Sequence, residues 1–167
     1  MIHIYTGDGK GKTTAAIGLA VRMAGYDKKV LVAQFLKGSY TGELALLNAA
    51  PNITVLRCEE NCGFVNGMSE ADKINVKATH DNILSYIIDN MESFSMIVLD
   101  EIFDALGCGL ASEAYVKHLA EKFSGELVMT GRNPDKCFWD AADYITEMKK
   151  IKHPYDKGIA AQEGIEY

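Results

Sequence analysis

The chain has 167 residues, 48% of them hydrophobic and 24% charged, with a formal net charge of −6. That length suits a single domain, 1–167, with one well-covered core. The acidic balance argues against a nucleic-acid partner, which would need clustered Lys and Arg. No stretch has the length and apolarity of a membrane span or a signal peptide, so a cytoplasmic location with no membrane partner is expected.

Ile2-His3-Ile4-Tyr5 reads as a strand, followed by the turn Thr6-Gly7-Asp8-Gly9-Lys10-Gly11-Lys12-Thr13-Thr14 and a small-residue helix that runs to Gly25. Glycines let the backbone wrap inward so that its N–H groups face one centre, and the helix N-terminus adds its positive dipole end. Lys12 supplies a full charge, and the Thr13 hydroxyl can complete a Mg²⁺ shell. The pattern departs from G-x-x-x-x-G-K-[ST] because Thr6 holds the first position and the glycine falls at Gly7. The strand–turn–helix setting still makes this a nucleoside-triphosphate loop. A dinucleotide fold is excluded, since Lys12 stands where its third glycine belongs and the second strand, Val30–Phe35, ends without a carboxylate.

A short helix around 43–48, a strand at Ile53–Leu56 and a loop from Cys58 to Met68 come next. Ser69-x-x-Asp72 resembles a capping box and opens a long helix to about Met91. Ile74, Ile83, Leu84, Ile87, Ile88 and Met91 are read as its buried face, with His80 on the solvated side. Met96–Glu101 is an apolar strand ending in two carboxylates. A helix at 112–123, a strand at 126–130, the turn Thr130-Gly131-Arg132-Asn133-Pro134, a short helix past Trp139 and a strand at 144–148 complete the pattern. Alternating strands and helices specify an α/β fold, a mostly parallel sheet with helices on both faces. Ligands of such sheets bind beyond the carboxyl ends of the strands, where the loop, Lys37, Asp100-Glu101 and Thr130-Gly131-Arg132 all fall.

Two adjacent acids at the tip of a buried strand call for a cation. Asp100 is therefore the expected partner of Mg²⁺, while Glu101 either ligates it or orients a reacting group. Lys10, Lys37 and Arg132 are phosphate candidates, with solvated side chains as the alternative. Phe64 and Trp139 are candidates for stacking on a planar ligand, with packing as the alternative; His3 reads as a packed strand residue. Cys58 and Cys62 form half of a zinc pattern with no second pair, so they and Cys108 and Cys137 read as reduced thiols. By this route the sequence reaches a Mg²⁺-ATP protein and stops, with the bond attacked still open.

The ordered set Thr6–Ala16, Gln34-Phe35-Leu36-Lys37-Gly38, Val98-Leu99-Asp100-Glu101, Thr130-Gly131-Arg132-Asn133, Ala142–Met148, Lys152–Ile159 and Gln162–Tyr167 resembles the CobA/BtuR (CobO) type of ATP:corrinoid adenosyltransferase over essentially the whole chain. The resemblance implies a RecA-like P-loop NTPase fold. It also implies transfer of the 5′-deoxyadenosyl group of ATP to Co(I) of a reduced corrinoid, such as cobalamin or cobyrinic acid diamide, with release of triphosphate. ATP would lie reversed, its ribose carbon toward the corrinoid. In these terms Gly7, Asp8, Gly9, Lys10, Gly11, Lys12, Thr13 and Thr14, with Lys37 and Arg132, bind the nucleotide. Thr13, Asp100 and Glu101 hold Mg²⁺ or Mn²⁺, and Lys12, Glu101 and Arg132 serve catalysis. The loop from Cys58 to Asp72, containing Phe64, is the candidate corrinoid-facing segment, with a bare connection as the alternative. The loop departs from the family at Asp8, where Asn is usual. This sequence begins at its first strand where relatives often carry an extension, so either a partner subunit or another segment is expected to cover the site, or the corrinoid is expected to be held less tightly. A homodimer and an electron donor such as a flavoprotein fit that expectation. A phosphate-loop kinase and a non-catalytic ATP-dependent binding module are the rival readings.

Overall fold

The computed structural model describes residues 1–58 and 67–167. Its strands are β1 (Ile2–Thr6), β2 (Val30–Gln34), β3 (Ile53–Arg57), β4 (Met96–Asp100), β5 (Glu126–Thr130) and β6 (Tyr144–Glu147). Its helices are α1 (Lys12–Ala24), α2 (Glu43–Ala49), α3 (Glu70–Asn90), α4 (Ile102–Gly107), α5 (Glu113–Lys122) and α6 (Lys136–Ala141). The strands form one sheet in the order β3-β2-β4-β5-β1-β6. Every pairing is parallel, which sharpens the expected mostly parallel sheet.

The two faces follow from the period of two along each strand. Leu31, Ala33, Ile97, Leu99, Leu127 and Met129 enter one core with Leu84 and Ile87 of α3 and Leu119 of α5. Val30, Val32, Met96, Val98 and Val128 enter the opposite core, against Ala16 and Ala20 of α1. β2 and β4 are buried along their whole length because helices cover both sides. Small alanines on the inner face of α1 let that helix approach the sheet closely. Because the strands are parallel, the carboxyl ends of β1, β2, β4 and β5 emerge on one edge.

The capping box at Ser69 forms: its hydroxyl accepts the Asp72 N–H at 3.2 Å while the Asp72 carboxylate accepts the Ser69 N–H at 2.9 Å. The buried face of α3 is Val76, His80, Leu84 and Ile87, and Ile74 is 68% exposed, so two assignments for this helix are corrected. His80 is buried because both ring nitrogens find backbone partners. Nδ1 donates to the Leu110 carbonyl at 2.8 Å and Nε2 accepts the Leu36 N–H at 3.4 Å, while the ring meets Phe35 edge-on. A polar side chain can sit in a core when its bonds are satisfied, which hydrophobic periodicity cannot register. His3 packs as expected, stacked on Tyr144 and bonded to Glu126.

Helix α4 is an element the sequence pattern does not announce. It has six residues, and Glu101 precedes it in the left-handed conformation (φ 61°) without a side-chain cap, so no start signal is written before it. Glu101 is thus the first residue of a turn rather than the last of the strand. Among the described residues, no helix is long and apolar enough to cross a membrane.

The burial of His80 fixes the sign of a pH effect. Burial holds its imidazole below the usual histidine value, against the opposing pull of the Leu110 carbonyl and the Asp81 charge. The unfolded chain takes up a proton that the folded chain refuses, so this contribution is complete above about pH 6.5 and is lost as pH falls below it. Thermal melts between pH 7.5 and 5.5 should therefore show falling stability, and His80→Gln should flatten that dependence while lowering stability throughout. An unchanged pH slope in the variant would refute the assignment.

Candidate active site

Asp100, at the tip of β4, is fully buried and gathers three elements. Its Oδ1 accepts hydrogen bonds from the Thr13 hydroxyl at 2.9 Å and the Thr130 hydroxyl at 2.7 Å. Its Oδ2 receives the Lys37 ammonium at 2.7 Å. Thr130 in turn accepts the Glu101 N–H at 2.9 Å, so the end of β5 fixes the turn after β4. The start of α1, the end of β5 and the segment after β2 are all tied to one carboxylate.

The glycine-rich turn between β1 and α1 is shaped from outside as well as inside. Met148, just past β6, donates its N–H to the Thr6 carbonyl at 2.8 Å and accepts the Gly9 N–H at 2.6 Å. A Cβ at Gly7 would lie 2.4 Å from the Met148 carbonyl oxygen, and one at Gly9 would lie 2.6 Å from it. Gly7 and Gly11 also hold φ of +103° and +115°, which β-carbon-bearing residues rarely adopt. The glycines thus admit a neighbouring strand, and the Gly9 N–H is engaged by it rather than turned toward the centre of the loop. Asp8 is exposed and accepts the Lys150 N–H at 3.0 Å. That backbone bond holds its carboxyl below the usual range.

Lys12 opens α1 and donates to the Gly7 and Gly9 carbonyls at 2.8 and 2.9 Å. Burial, then the Arg132 guanidinium, hold its ammonium below the usual lysine value. The first N–H groups of α1 have no partner within the helix, as at any helix start, and Gly11 offers them no side-chain cap. Lys37 lies 3.4 Å from the Thr13 hydroxyl and 3.8 Å from Glu101 as well as on Asp100. Burial would depress its ammonium, but the Asp100 and Glu101 carboxylates outweigh burial and hold it above the usual range. Glu101, half-buried, has its carboxyl pushed up to about 7, first by desolvation and against the pull of Lys37. Gly131 (φ +138°) lets the end of β5 meet Asp104 of α4, whose carboxylate accepts the Arg132 N–H at 3.1 Å.

A cavity of about 620 Å³ runs over these groups, lined by Lys10, Lys12, Thr13, Lys37, Glu101 and Arg132. A second, of about 510 Å³, shares Lys10, Thr13, Thr14, Lys37 and Glu101 with it. Ile165, Glu166 and Tyr167 border both. Of the sequence-derived nucleotide and metal candidates, Lys10, Gly11, Lys12, Thr13, Thr14, Lys37, Glu101 and Arg132 line this space and Asp100 lies buried against Thr13 and Lys37, whereas Gly7, Asp8 and Gly9 do not line it: Asp8 is exposed and bonded to Lys150, and Gly9 is bonded to Met148. Phe64 and Cys62 lie outside the described residues. Trp139 is nearly half exposed on α6 and does not border the cavity. Sequence reasoning placed Thr130 on the ligand edge without giving it a role, and it missed Asp104 and the three C-terminal residues as neighbours of the site, although those three belong to the Gln162–Tyr167 motif that carries the resemblance. Among the described residues no group of three or more His, Cys, Asp or Glu gathers as a metal cluster.

A parallel sheet with a glycine-rich loop leading into Lys-Thr, and an acid at the tip of a neighbouring strand, define an α/β protein of the phosphate-loop NTPase class. The flagellar accessory protein FlaH from Methanocaldococcus jannaschii shares the fold at a TM-score of 0.55, with 13% identity over 87% of this chain and 69% of that one. The family model for the ATP:corrinoid adenosyltransferases BtuR/CobO/CobP matches residues 1–167, and the chain belongs to that family. It is 33% identical to the corrinoid adenosyltransferase of Escherichia coli (strain K12) and 34% identical to corrinoid adenosyltransferase CobA of Salmonella typhimurium. Each alignment covers 100% of this chain and 85% of the relative.

The Asp100 node has a measurable energetic weight. Replacing Asp100 by Ala leaves the Lys37 ammonium half-interred and two hydroxyls without their acceptor. Breaking one side of such a pair costs about 3–5 kcal/mol, readable by urea unfolding. A loss below about 1 kcal/mol would mean that the node does not organise the edge.

Proposed function

We propose that the chain transfers the 5′-deoxyadenosyl group of ATP to the Co(I) centre of a reduced corrinoid. The cobalt electron pair attacks C5′, the C5′–O bond breaks with its electrons going to triphosphate, and cobalt becomes formally Co(III). The observation that carries this reading is family membership over residues 1–167 in a chain whose site gathers cations and oxygen donors around one cavity. The reaction asks for no protein nucleophile, because the corrinoid is itself the nucleophile, so the protein's work is to position C5′ and to neutralise the leaving group.

In this reading the loop from Gly7 to Thr14, with Lys10, Lys12, Lys37 and Arg132, grips the triphosphate. Lys12 and Arg132, on two sides of the cavity, draw charge from the departing oxygen. Thr13, Asp100 and Glu101 would hold Mg²⁺ or Mn²⁺. The donor set fits, being hard oxygen ligands of which three already surround a single cationic nitrogen. The ion, when bound, supplies charge neutralisation to the polyphosphate. The remaining expectations belong to the same proposal: one domain spanning 1–167, a homodimer whose second subunit helps cover the site, a flavoprotein-type electron donor, and a cytoplasmic setting.

An anaerobic reaction with chemically reduced cob(I)alamin or cob(I)inamide, Mg²⁺ and ATP tests the reading. Loss of the Co(I) spectrum, a photolabile carbon–cobalt product and intact triphosphate are expected. ADP or orthophosphate with no alkylcobalt product would overturn it in favour of a kinase or ATPase. Lys12→Ala should lower kcat by about 100-fold or more, as expected for loss of a charge aimed at the leaving group.

A further inference from the structure

The three oxygens read as metal donors already surround a fixed positive charge. Lys37 Nζ lies 2.7 Å from Asp100 Oδ2, 3.4 Å from Thr13 Oγ1 and 3.8 Å from Glu101 Oε1. A divalent cation on the same atoms would stand within a few ångströms of that ammonium, and like charges at this range repel strongly in a half-buried setting. The two cations are therefore alternatives.

The backbone that carries Lys37 is braced on both sides. Leu36, at φ +57°, has its N–H held by His80, and Arg57 donates to the carbonyls of Lys37 at 3.0 Å and Ser39 at 2.6 Å. The flexible part is the four-carbon stem of the side chain, which can swing its ammonium without moving the chain. Lys37 borders both lobes of the cavity that Lys10 and the loop also line, so a polyphosphate placed there lies within its sweep.

From this geometry we infer that Lys37 is an internal counter-ion that competes with the divalent metal for Asp100 and Thr13, so that metal binds well only when polyphosphate arrives to take the ammonium. The inference rests on reading Thr13, Asp100 and Glu101 as the metal donors. It gives the site an order of assembly: polyphosphate draws Lys37 aside, and the freed oxygens receive the ion. It also makes Lys37 a coupling residue, since whatever polyphosphate gains from metal, metal must gain from polyphosphate.

Mn²⁺ binding followed by electron paramagnetic resonance, with and without inorganic tripolyphosphate, tests this without any turnover. Lys37→Met should bind Mn²⁺ alone about tenfold more tightly than the wild type, because the competing charge is gone. Lys37→Arg, which keeps the charge, should stay near the wild type. Tripolyphosphate should raise Mn²⁺ affinity by a larger factor in the wild type than in Lys37→Met. Mn²⁺ should also raise the melting temperature of Lys37→Met more than that of the wild type, which checks that the variant is folded. Equal or weaker Mn²⁺ binding by Lys37→Met, or the same enhancement by tripolyphosphate in both proteins, would overturn the inference.

In wild-type protein, the ¹⁵N-detected Lys37 ammonium resonance should persist with Mg²⁺ alone and shift when tripolyphosphate is added with it; displacement by Mg²⁺ alone would also overturn the inference. Thr13→Ala separates the two layers of the argument. Undiminished Mn²⁺ binding by that variant in the presence of tripolyphosphate would refute the donor set itself, and the coupling with it. A failure of the adenosyl-transfer assay would leave these binding results standing.

Discussion

The carboxylate of Asp100 is the constraint on which the rest of the edge depends. It is wholly buried at the end of a strand that is itself buried on both faces, where an unsatisfied charge would be prohibitive. Its solution is to draw in one ammonium and two hydroxyls from three different segments. Each of those segments reaches the sheet edge by its own route, and the carboxylate sets their mutual distances. The phosphate loop is thereby linked to β5 and to the chain after β2 through a single side chain. An electrostatic requirement of the core becomes the geometry of a binding site.

The loop itself is held as much from behind as from the site. β6 lies at the edge of the sheet beside β1, and the residue after it, Met148, exchanges backbone hydrogen bonds with Thr6 and Gly9. That contact explains the glycines at 7 and 9 more directly than any ligand does, since a β-carbon at either would collide with backbone atoms. Asp8, the position where the loop departs from its family, is turned to the same side and caps the Lys150 N–H. Its negative charge is thus anchored on the segment that follows β6 rather than aimed at the space where anions would sit. The C-terminal part of the chain shapes the loop through β6 and borders the cavity through Ile165, Glu166 and Tyr167. This gives a structural sense to the specific sequence signature of that region.

The distribution of charge at the site suits chemistry done by a substrate. Lys10, Lys12, Lys37 and Arg132 line the cavity together with Glu101 and Asp104, an arrangement that under the proposed function would stabilise a polyphosphate as it leaves. Glu101, lifted to about 7 by desolvation against the pull of Lys37, and Lys37, held above the usual range by the Asp100 and Glu101 carboxylates against desolvation, are both shifted upward, for different reasons. One carboxylate in the pair takes the ammonium tightly while the other is left at the cavity wall. The two adjacent acids differ in their distance from the ammonium, 2.7 Å for Asp100 and 3.8 Å for Glu101.

The sequence by itself determined the parallel α/β class, the six strands of the described residues, the capping box of α3 and the presence of a glycine-rich Lys-Thr loop on the same edge as an acidic strand tip. These are local properties: periods of two, apolar runs bounded by glycine, and Ser-x-x-Asp spacing belong to contiguous residues. Through its ordered motifs it also carried the resemblance to the corrinoid adenosyltransferases. Tertiary structure decided what depends on distant segments meeting. The burial of His80 needs Leu110 and Leu36 as partners, and the exposure of Ile74 follows from which face of α3 those contacts select. Helix α4 arises at a left-handed Glu101 fixed by Thr130, with no cap written before it. The pairing of Lys37 with Asp100, and the turning of Gly9 toward Met148, are likewise settled by contacts across the sheet edge. A side chain's type is inherited from the sequence; the charge and backbone it faces are assigned only when the strands align.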